Sequence, residues 1–148
     1  MKYIVGIALS LALFSCTQKN TNETLSNREL DSLTDPAKGI GVIRNVALAN
    51  PLELDKVERG QAIYQAECKS CHTLDDQRTV GPGWKDITQR RKPEWIMNMV
   101  TNVDVMLDND EEALKLLESC GTRMRVETMS ISDARDVLEF MRQNDGEK

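Results

Sequence analysis

Residues 60–72 read GQAIYQAECKSCH, and the C-x-x-C-H run that ends this stretch, from Cys68 to His72, is the most informative part of the chain. Two thiols at this spacing add across the two vinyl groups of a haem as thioethers, and the adjacent imidazole then lies beneath the iron. The motif therefore predicts a covalently attached haem c, with Cys68 and Cys71 as its attachment points and His72 as the proximal iron ligand.

Three other kinds of site use part of this motif. A redox-active dithiol also has C-x-x-C, but it belongs at a strand–helix junction, and here a helical pattern precedes the motif. A Cys₃His zinc site would add Cys120 to Cys68, Cys71 and His72, although adjacent Cys and His residues fit poorly around one tetrahedral ion. A disulfide between Cys68 and Cys71 is the remaining alternative in an exported protein. The position of His72 immediately after Cys71 favours haem over these alternatives.

Composition restricts the remaining function classes. The chain has 148 residues, of which 40% are hydrophobic and 29% charged, so it is predicted to hold one globular domain with appendages. Its formal charge of −5 at pH 7 argues against a nucleic-acid partner. The single histidine excludes sites that need two imidazoles, such as bis-histidine haems. The absence of an apolar run of about 18 residues excludes a multi-pass membrane protein.

The beginning of the chain has the composition of an export signal. Lys2 precedes an apolar stretch that is too short to span a bilayer and that ends in LFSC, Leu13 to Cys16. This ending is typical of a lipobox, in which Cys16 is lipidated and becomes the mature N-terminus; a plain signal peptide is the alternative. We therefore expect residues 1–15 to be a lipoprotein signal peptide, and the mature protein to be lipid-anchored on the periplasmic side of a bacterial membrane.

The rest of the chain divides into an extension and a folded domain. Residues 16–50 begin with a polar stretch that is typical of a tether. An apolar cluster follows between Gly39 and Leu48, so this part is expected to pack against the domain rather than to move freely. Residues 51–148 form the domain that carries the C-x-x-C-H motif.

Within that domain the hydrophobic periodicity predicts an all-α fold of about four short helices. No segment shows convincing strand alternation. The expected boundaries are Asp55 as the cap of the first helix, Pro93 in the first turn of the second, Asp108 with Glu111 before the third and Gly121 after it, and Ser130 with Asp133 at the start of the fourth.

These motifs together resemble those of the small class I c-type cytochromes. Gly60 and Tyr64 precede C-x-x-C-H at the spacing of that family, a Gly81-Pro82 pair follows it, and a late methionine lies before a C-terminal amphipathic helix. The resemblance covers about residues 52–145 and implies a monohaem fold of short helices around the covalent haem. It also implies that the first and last helices cross near Gly60, where the lack of a Cβ permits close approach.

The sixth iron ligand has to come from another residue type. Because His72 is the single histidine, the candidates are Met, Lys, the N-terminus or an open position. Three methionines share or adjoin core-facing helical stripes and are expected to pack there: Met97, Met99 and Met141. The resemblance implies Met124, which lies in the loop where the family has its axial methionine, although Arg125 replaces the proline that generally follows. Met129 is the alternative.

The resemblance also implies residues that surround the haem. A ligating imidazole normally donates its second N–H to a fixed acceptor, which would be the carbonyl of Pro82 for His72. The anionic propionates need hydrogen-bond donors, and the candidates are Trp95 together with Arg90 or Arg91.

An iron with both axial positions occupied has no place for a substrate, so electron transfer is predicted rather than catalysis. The chain is expected to shuttle single electrons between exported or membrane-bound respiratory partners, with a respiratory complex as donor and a terminal reductase or oxidase as acceptor. Docking is expected to be weak and steered by charge. Four basic residues are expected to ring the haem edge: Lys69, Arg78, Arg123 and Arg125.

A narrower resemblance concerns the partner. Residues 90–99, RRKPEWIMNM, and residues 38–41, KGIG, are similar to monohaem lipoprotein cytochromes that accompany nitrous oxide reductase in some bacteria. This similarity implies a copper enzyme of denitrification as the partner. The competing function is a haem-based ligand sensor with a labile sixth ligand, which the lack of a proline after Met124 supports. Cys120 is expected to be a buried free thiol.

Overall fold

The computed structural model describes residues 35–127 and 129–148, and its regular elements are helical. The α-helices are α1 (Leu54–Ile63), α2 (Ile87–Arg90), α3 (Pro93–Thr101), α4 (Val103–Asn109), α5 (Glu111–Cys120) and α6 (Ile131–Asn144). A 3₁₀ turn at Pro36–Lys38 precedes them, and a π-helical turn at Tyr64–Cys68 continues α1. Over these residues, the β pairing is one isolated bridge between His72 and Arg78. The predicted all-α fold class is confirmed.

The export signal, Cys16 and the first half of the extension lie outside the described residues. None of the helices that the structure describes is both long and apolar enough to cross a membrane.

The first and last helices, α1 and α6, cross at Gly60, as the resemblance to the class I c-type cytochromes implies. A Cβ on Gly60 would lie 2.0 Å from the carbonyl oxygen of Asp136, so only a glycine allows the two backbones to approach this closely. Beside the crossing, Arg59 donates to the Asp136 carboxylate at 2.6 Å, while Val57 and Val137 are buried. The crossing fixes the end of α1, and the C-x-x-C-H motif follows directly from there.

Local signals predict most of the helix ends. The Ser130 hydroxyl accepts from an amide three residues later at the start of α6, and Pro93 opens α3. Gly121 ends α5 with a φ of 66°, a left-handed conformation that favours glycine. The first cap is displaced, because the residue before α1 is Glu53 and Asp55 lies within the first turn.

The capping box predicted for Asp108 and Glu111 is wrong. Asp108 lies inside α4, and the N-cap of α5 is Asp110, whose carboxylate accepts from the amide of Ala113 at 2.9 Å. The short helices α2 and α4 add to the four that periodicity predicts, because helices of this length contain too few apolar positions to form a pattern.

The described part of the extension packs along α3 through polar side chains spaced four residues apart. Asn98 is fully buried; its amide donates to the Ile43 carbonyl at 2.9 Å, and its Oδ1 accepts from the Ile43 amide at 3.1 Å. One turn earlier, the carboxylate of Glu94 accepts from the Val46 amide at 3.2 Å. These bonds satisfy the backbone of the extension, which covers one face of α3 while the other face borders the cavity described below.

Candidate haem site

The C-x-x-C-H segment forms a tight turn at the end of α1. The amides of Cys71 and His72 both donate to the Cys68 carbonyl, at 3.1 and 2.9 Å. Tyr64, in the preceding π-helical turn, donates its hydroxyl to the His72 carbonyl at 2.8 Å, and its ring centroid lies 5.0 Å from that of Trp84. The turn therefore holds the two thiols and the imidazole in a backbone geometry that its own hydrogen bonds determine.

Two residues of the following loop hold the His72 ring. Its Nδ1 donates to the Pro82 carbonyl at 2.8 Å, so Nε2 is the nitrogen left to bind a metal. A Cβ on Gly81 would lie 2.3 Å from Cε1 of the ring, and only a glycine lets the loop pass this close. Burial lowers the pKa of His72, which favours the neutral imidazole that metal binding requires.

The two thiols of the motif are free, with Cys68 buried and Cys71 half-buried. Burial raises the pKa of Cys68 to about 11, and the neighbouring Glu67 carboxylate adds to the increase. A redox-active dithiol needs the opposite shift, because its reactive form is the thiolate. The surroundings of Cys68 therefore do not support the dithiol alternative, and the disulfide alternative is not supported because the two thiols are not joined.

The zinc alternative lacks its fourth ligand. In the two described ranges, no group of three or more His, Cys, Asp or Glu side chains is arranged to hold a metal ion. Cys120 is a free thiol, as expected, but it is half-buried rather than buried. The reason is that the end of α5 borders the same cavity as the motif, so the apolar face of this helix is not closed over Cys120.

The motif opens into a cavity of about 320 Å³. Its wall is mostly apolar, and helices α3 to α6 contribute eight of the apolar side chains: Trp95, Ile96, Met99, Val100, Leu107, Leu116, Leu117 and Met141. Cys68, Cys71, His72 and Met124 also border it. The cavity thus joins two free thiols, a nitrogen ligand and a thioether sulfur in one apolar chamber. This set of donors fits a covalently attached haem.

Met124 is the methionine that reaches the cavity from a loop. It is half-buried between α5 and α6 and packs against the core. Met99 and Met141 border the same cavity from helices, whereas Met97 and Met129 are buried outside it. The placement agrees with Met124 as the second axial ligand and does not support Met129.

Comparison with known proteins points in the same direction. The cytochrome c of Rhodothermus marinus is 32% identical to this chain, with a TM-score of 0.70 over 74% of this chain and 93% of that one. The family model for cytochrome c matches residues 57–145. The chain belongs to the cytochrome c family. An engineered Rhodothermus marinus cytochrome c bound to a carbene intermediate is also 32% identical, with a TM-score of 0.68 over 74% of this chain and 94% of that one.

A comparison with curated proteins found no match. As a member of its family, this cytochrome c carries covalently attached haem c and is an electron-transfer protein that works with redox partners. Members of the family are generally electron carriers rather than enzymes.

The cytochrome places its predicted propionate donors differently from expectation. Trp95 borders the cavity, but its indole N–H donates to Oδ1 of Asp110 at 3.0 Å. Arg91 stacks its guanidinium 4.8 Å from the centroid of the Trp95 ring and pairs with Glu112 at 2.9 Å. In this geometry the Trp95 N–H satisfies a buried carboxylate at the cap of α5, so the assignment to a propionate is not supported.

The other predicted arginine, Arg90, donates to the carbonyls of Gly83 and Lys85 at 3.3 and 2.9 Å. Neither Arg90 nor Arg91 borders the cavity, whereas Arg123 and Arg125 do. The cations that this cytochrome brings to the cavity therefore come from the loop of the predicted axial methionine.

Two contacts that position the site were not predicted. Asp110 accepts from both the Trp95 indole and the amide of Ala113, which ties α3 to the start of α5. Arg78 donates to the Ser119 carbonyl and so joins the loop after His72 to the end of α5. The sequence signal for the first contact is that a buried indole N–H usually finds an acceptor. Nothing local to Arg78 indicates the second.

Proposed function

We propose that this cytochrome c shuttles single electrons between respiratory partners on the periplasmic side of a bacterial membrane, held there by a lipid on Cys16. A respiratory complex is the proposed donor, and a terminal reductase or oxidase is the proposed acceptor. The similarity of residues 90–99 and 38–41 to cytochromes that accompany nitrous oxide reductase favours that enzyme as the acceptor. The observation that carries the proposal is that His72 and Met124 border one apolar cavity.

Each residue of the site has one task in this proposal. Cys68 and Cys71 hold the haem through thioether bonds, and His72 presents Nε2 to the iron because its Nδ1 is bound to Pro82. When bound, the haem supplies a one-electron couple at the iron, with a potential that methionine ligation raises. Met124 would occupy the sixth coordination position of the iron, which a substrate would otherwise need. The apolar wall of the cavity excludes water.

Docking is proposed to use the rim of the cavity. Lys69 and Arg125 are exposed, and their side chains form no hydrogen bond or ion pair within the part of the chain that the structure describes. Arg123 and Arg78 are already bonded, to carboxylates of α4 and to a carbonyl of α5. Arg125 also borders the cavity, so its charge would attract an acidic partner surface and give a fast, salt-sensitive encounter.

The test is stopped-flow oxidation of the pre-reduced cytochrome by purified nitrous oxide reductase. We expect a second-order rate constant that falls as ionic strength rises. Arg125→Glu should slow the reaction at low ionic strength, whereas Lys148→Glu, the same charge reversal at a residue that does not border the cavity, should not. No oxidation at any ionic strength would contradict the proposed acceptor. Equal slowing by both variants would contradict docking at the rim.

The proposed anchor is tested by growth with radioactive palmitate followed by immunoprecipitation. We expect the wild-type protein to carry the label and Cys16→Ser to lack it, because the serine hydroxyl cannot carry the thioether-linked lipid. Label in the variant, or no label in the wild type, would contradict lipidation at Cys16.

A ligand sensor with a labile sixth position is the second candidate function. The observation that favours it is the sparse bonding around Met124, because within residues 121–127 the side-chain hydrogen bonds come from Arg123 alone. Rapid binding of CO to the reduced protein would favour the sensor, whereas absent or slow binding would favour the electron carrier.

A further inference from the structure

The loop between α5 and α6 is described over residues 121–127 and 129–130, and its first part has few bonds to hold it. The hydrogen bond from the Gly121 amide to α5 belongs to the end of that helix. Beyond it, the side-chain hydrogen bonds of residues 121–127 all come from Arg123. The other restraint on these residues is the packing of Met124 and Val126 against the core, while Met129 and the Ser130 cap hold the far end of the loop to α6.

Arg123 joins this loop to α4. One of its guanidinium nitrogens lies 2.9 Å from Oδ1 of Asp108 and 3.3 Å from Oδ1 of Asp104. The two aspartates are one helical turn apart, where like charges repel, so a guanidinium between them relieves the repulsion. Because Met106 and Leu107 bury α4 in the core, and Leu107 borders the cavity, the helix is a firm attachment point for the loop.

We infer that Arg123 is a positioning residue that holds Met124 on the haem iron by clamping the loop to α4. This inference rests on the proposed ligation by Met124. A loop that is released at the residue next to its ligand would spend more time with the sulfur away from the iron, and external ligands would compete more readily. The Asp104 and Asp108 side chains are 86% and 57% exposed, so the clamp is weakened by salt.

Arg125 provides a matched control within the same loop. It lies on the other side of Met124, carries the same charge and also borders the cavity. Unlike Arg123, it forms no hydrogen bond or ion pair with the residues that the structure describes. Removal of either arginine changes the charge beside the cavity equally, but only the loss of Arg123 uncouples the loop from α4.

The experiment measures how readily imidazole replaces Met124 in the ferric holoprotein, by absorbance titration. We expect Arg123→Gln to bind imidazole about two-fold to five-fold more tightly than the wild type, the range that exposed ion pairs support, and Arg125→Gln to be unchanged. Combined Asp104→Asn and Asp108→Asn changes should reproduce the effect, and adding them to Arg123→Gln should produce no further change. High salt should bring the wild type to the Arg123→Gln value without altering that variant.

Equal effects of Arg123→Gln and Arg125→Gln would overturn the inference, because charge in general would then govern ligand exchange. Additive effects of the arginine and aspartate changes would overturn it as well. Met124→Ala separates this failure from a failure of the proposed ligation: if the Fe–S charge-transfer absorption survives in Met124→Ala, another residue is the ligand. Thermal unfolding of every variant shows whether the fold is retained, so that ligand release is not confused with unfolding.

Discussion

The loops that carry the two proposed axial residues are built in different ways. In the loop after His72, Thr73 and Thr79 donate their hydroxyls to loop carbonyls at 2.6 Å each, and backbone hydrogen bonds close the loop on itself. The described part of the loop around Met124 relies on packing and on the exposed ion pairs of Arg123. One axial residue is therefore held by bonds that form a network, and the other by contacts that salt and water can replace.

Because the two loops are held differently, substitutions on the two sides of the haem should have different effects. Changes near His72 should affect how much haem the protein retains, because the attachment turn and the imidazole share one network. Changes near Met124 should leave the haem attached and affect the sixth ligand and the potential.

The largest effect is expected from Gly81→Ala on the His72 side. The new Cβ would lie 2.3 Å from Cε1 of the ring, so the imidazole must move and lose its bond to Pro82. We expect most of the protein to lack attached haem, measured as haem per polypeptide by the pyridine haemochrome assay.

Gly121→Ala, in the other loop, is the control for this change. Gly121 has a positive φ, of 66°, but a new Cβ there would meet no atom within 4 Å. We expect a loss of about 1 to 2 kcal/mol in the free energy of unfolding, from the left-handed backbone, with haem content unchanged. Equal haem loss in the two variants would contradict the proposed role of Gly81.

The next largest effect is expected from Met124→Ala. Loss of the sulfur ligand should abolish the Fe–S charge-transfer absorption of the ferric protein, lower the midpoint potential and open the reduced iron to CO, while the haem remains attached. Met129→Ala, at a buried position outside the cavity, should lose about 2 to 5 kcal/mol of stability and keep the absorption. The reverse pattern would identify Met129 as the ligand.

A smaller effect is expected from Tyr64→Phe. The change removes the hydroxyl that donates to the His72 carbonyl at 2.8 Å, which should cost about 1 kcal/mol in urea unfolding. The midpoint potential should not change, because the bond from the imidazole to Pro82 remains. A shifted potential would show that the bond from Tyr64 also influences the His72 imidazole, and that the bond to Pro82 is not sufficient to hold the ring.

The smallest effect is expected from Thr79→Val, which removes the hydroxyl bond to the Cys71 carbonyl. We expect a loss of about 0.5 to 1 kcal/mol in the free energy of unfolding, equal at low and high salt because both partners are neutral. Unfolding curves at two ionic strengths measure this directly. A loss that depends on salt would contradict the proposed difference between the neutral hydrogen bonds of this loop and the ion pairs of Arg123.

The attachment end of the site could be predicted because its chemistry is contained in adjacent residues. The run from Cys68 to His72 specifies two thioether bonds and a nitrogen ligand whatever the rest of the chain does. The crossing at Gly60 was expected from the resemblance to the class I c-type cytochromes, and the lack of a Cβ explains why the backbones can approach there.

The remaining contacts depend on parts of the chain that the sequence pattern does not bring together. Trp95 meets Asp110 across the interval between α3 and α5, so the fate of its N–H is decided by tertiary packing. Arg123 meets Asp104 and Asp108 on α4, a helix too short for periodicity to reveal. Without that helix, Arg123 looks like a free surface cation that would serve docking.

Proton NMR of the reduced protein, edited through carbon-labelled methionine methyl groups, tests most directly whether one haem iron is held between His72 and Met124. We expect one methyl proton resonance shifted far upfield by the haem ring. That resonance should disappear in Met124→Leu and remain in Met99→Leu and Met141→Leu, the other methionines that border the cavity. A shifted methyl that survives in Met124→Leu, or no shifted methyl in the wild type, would contradict the account.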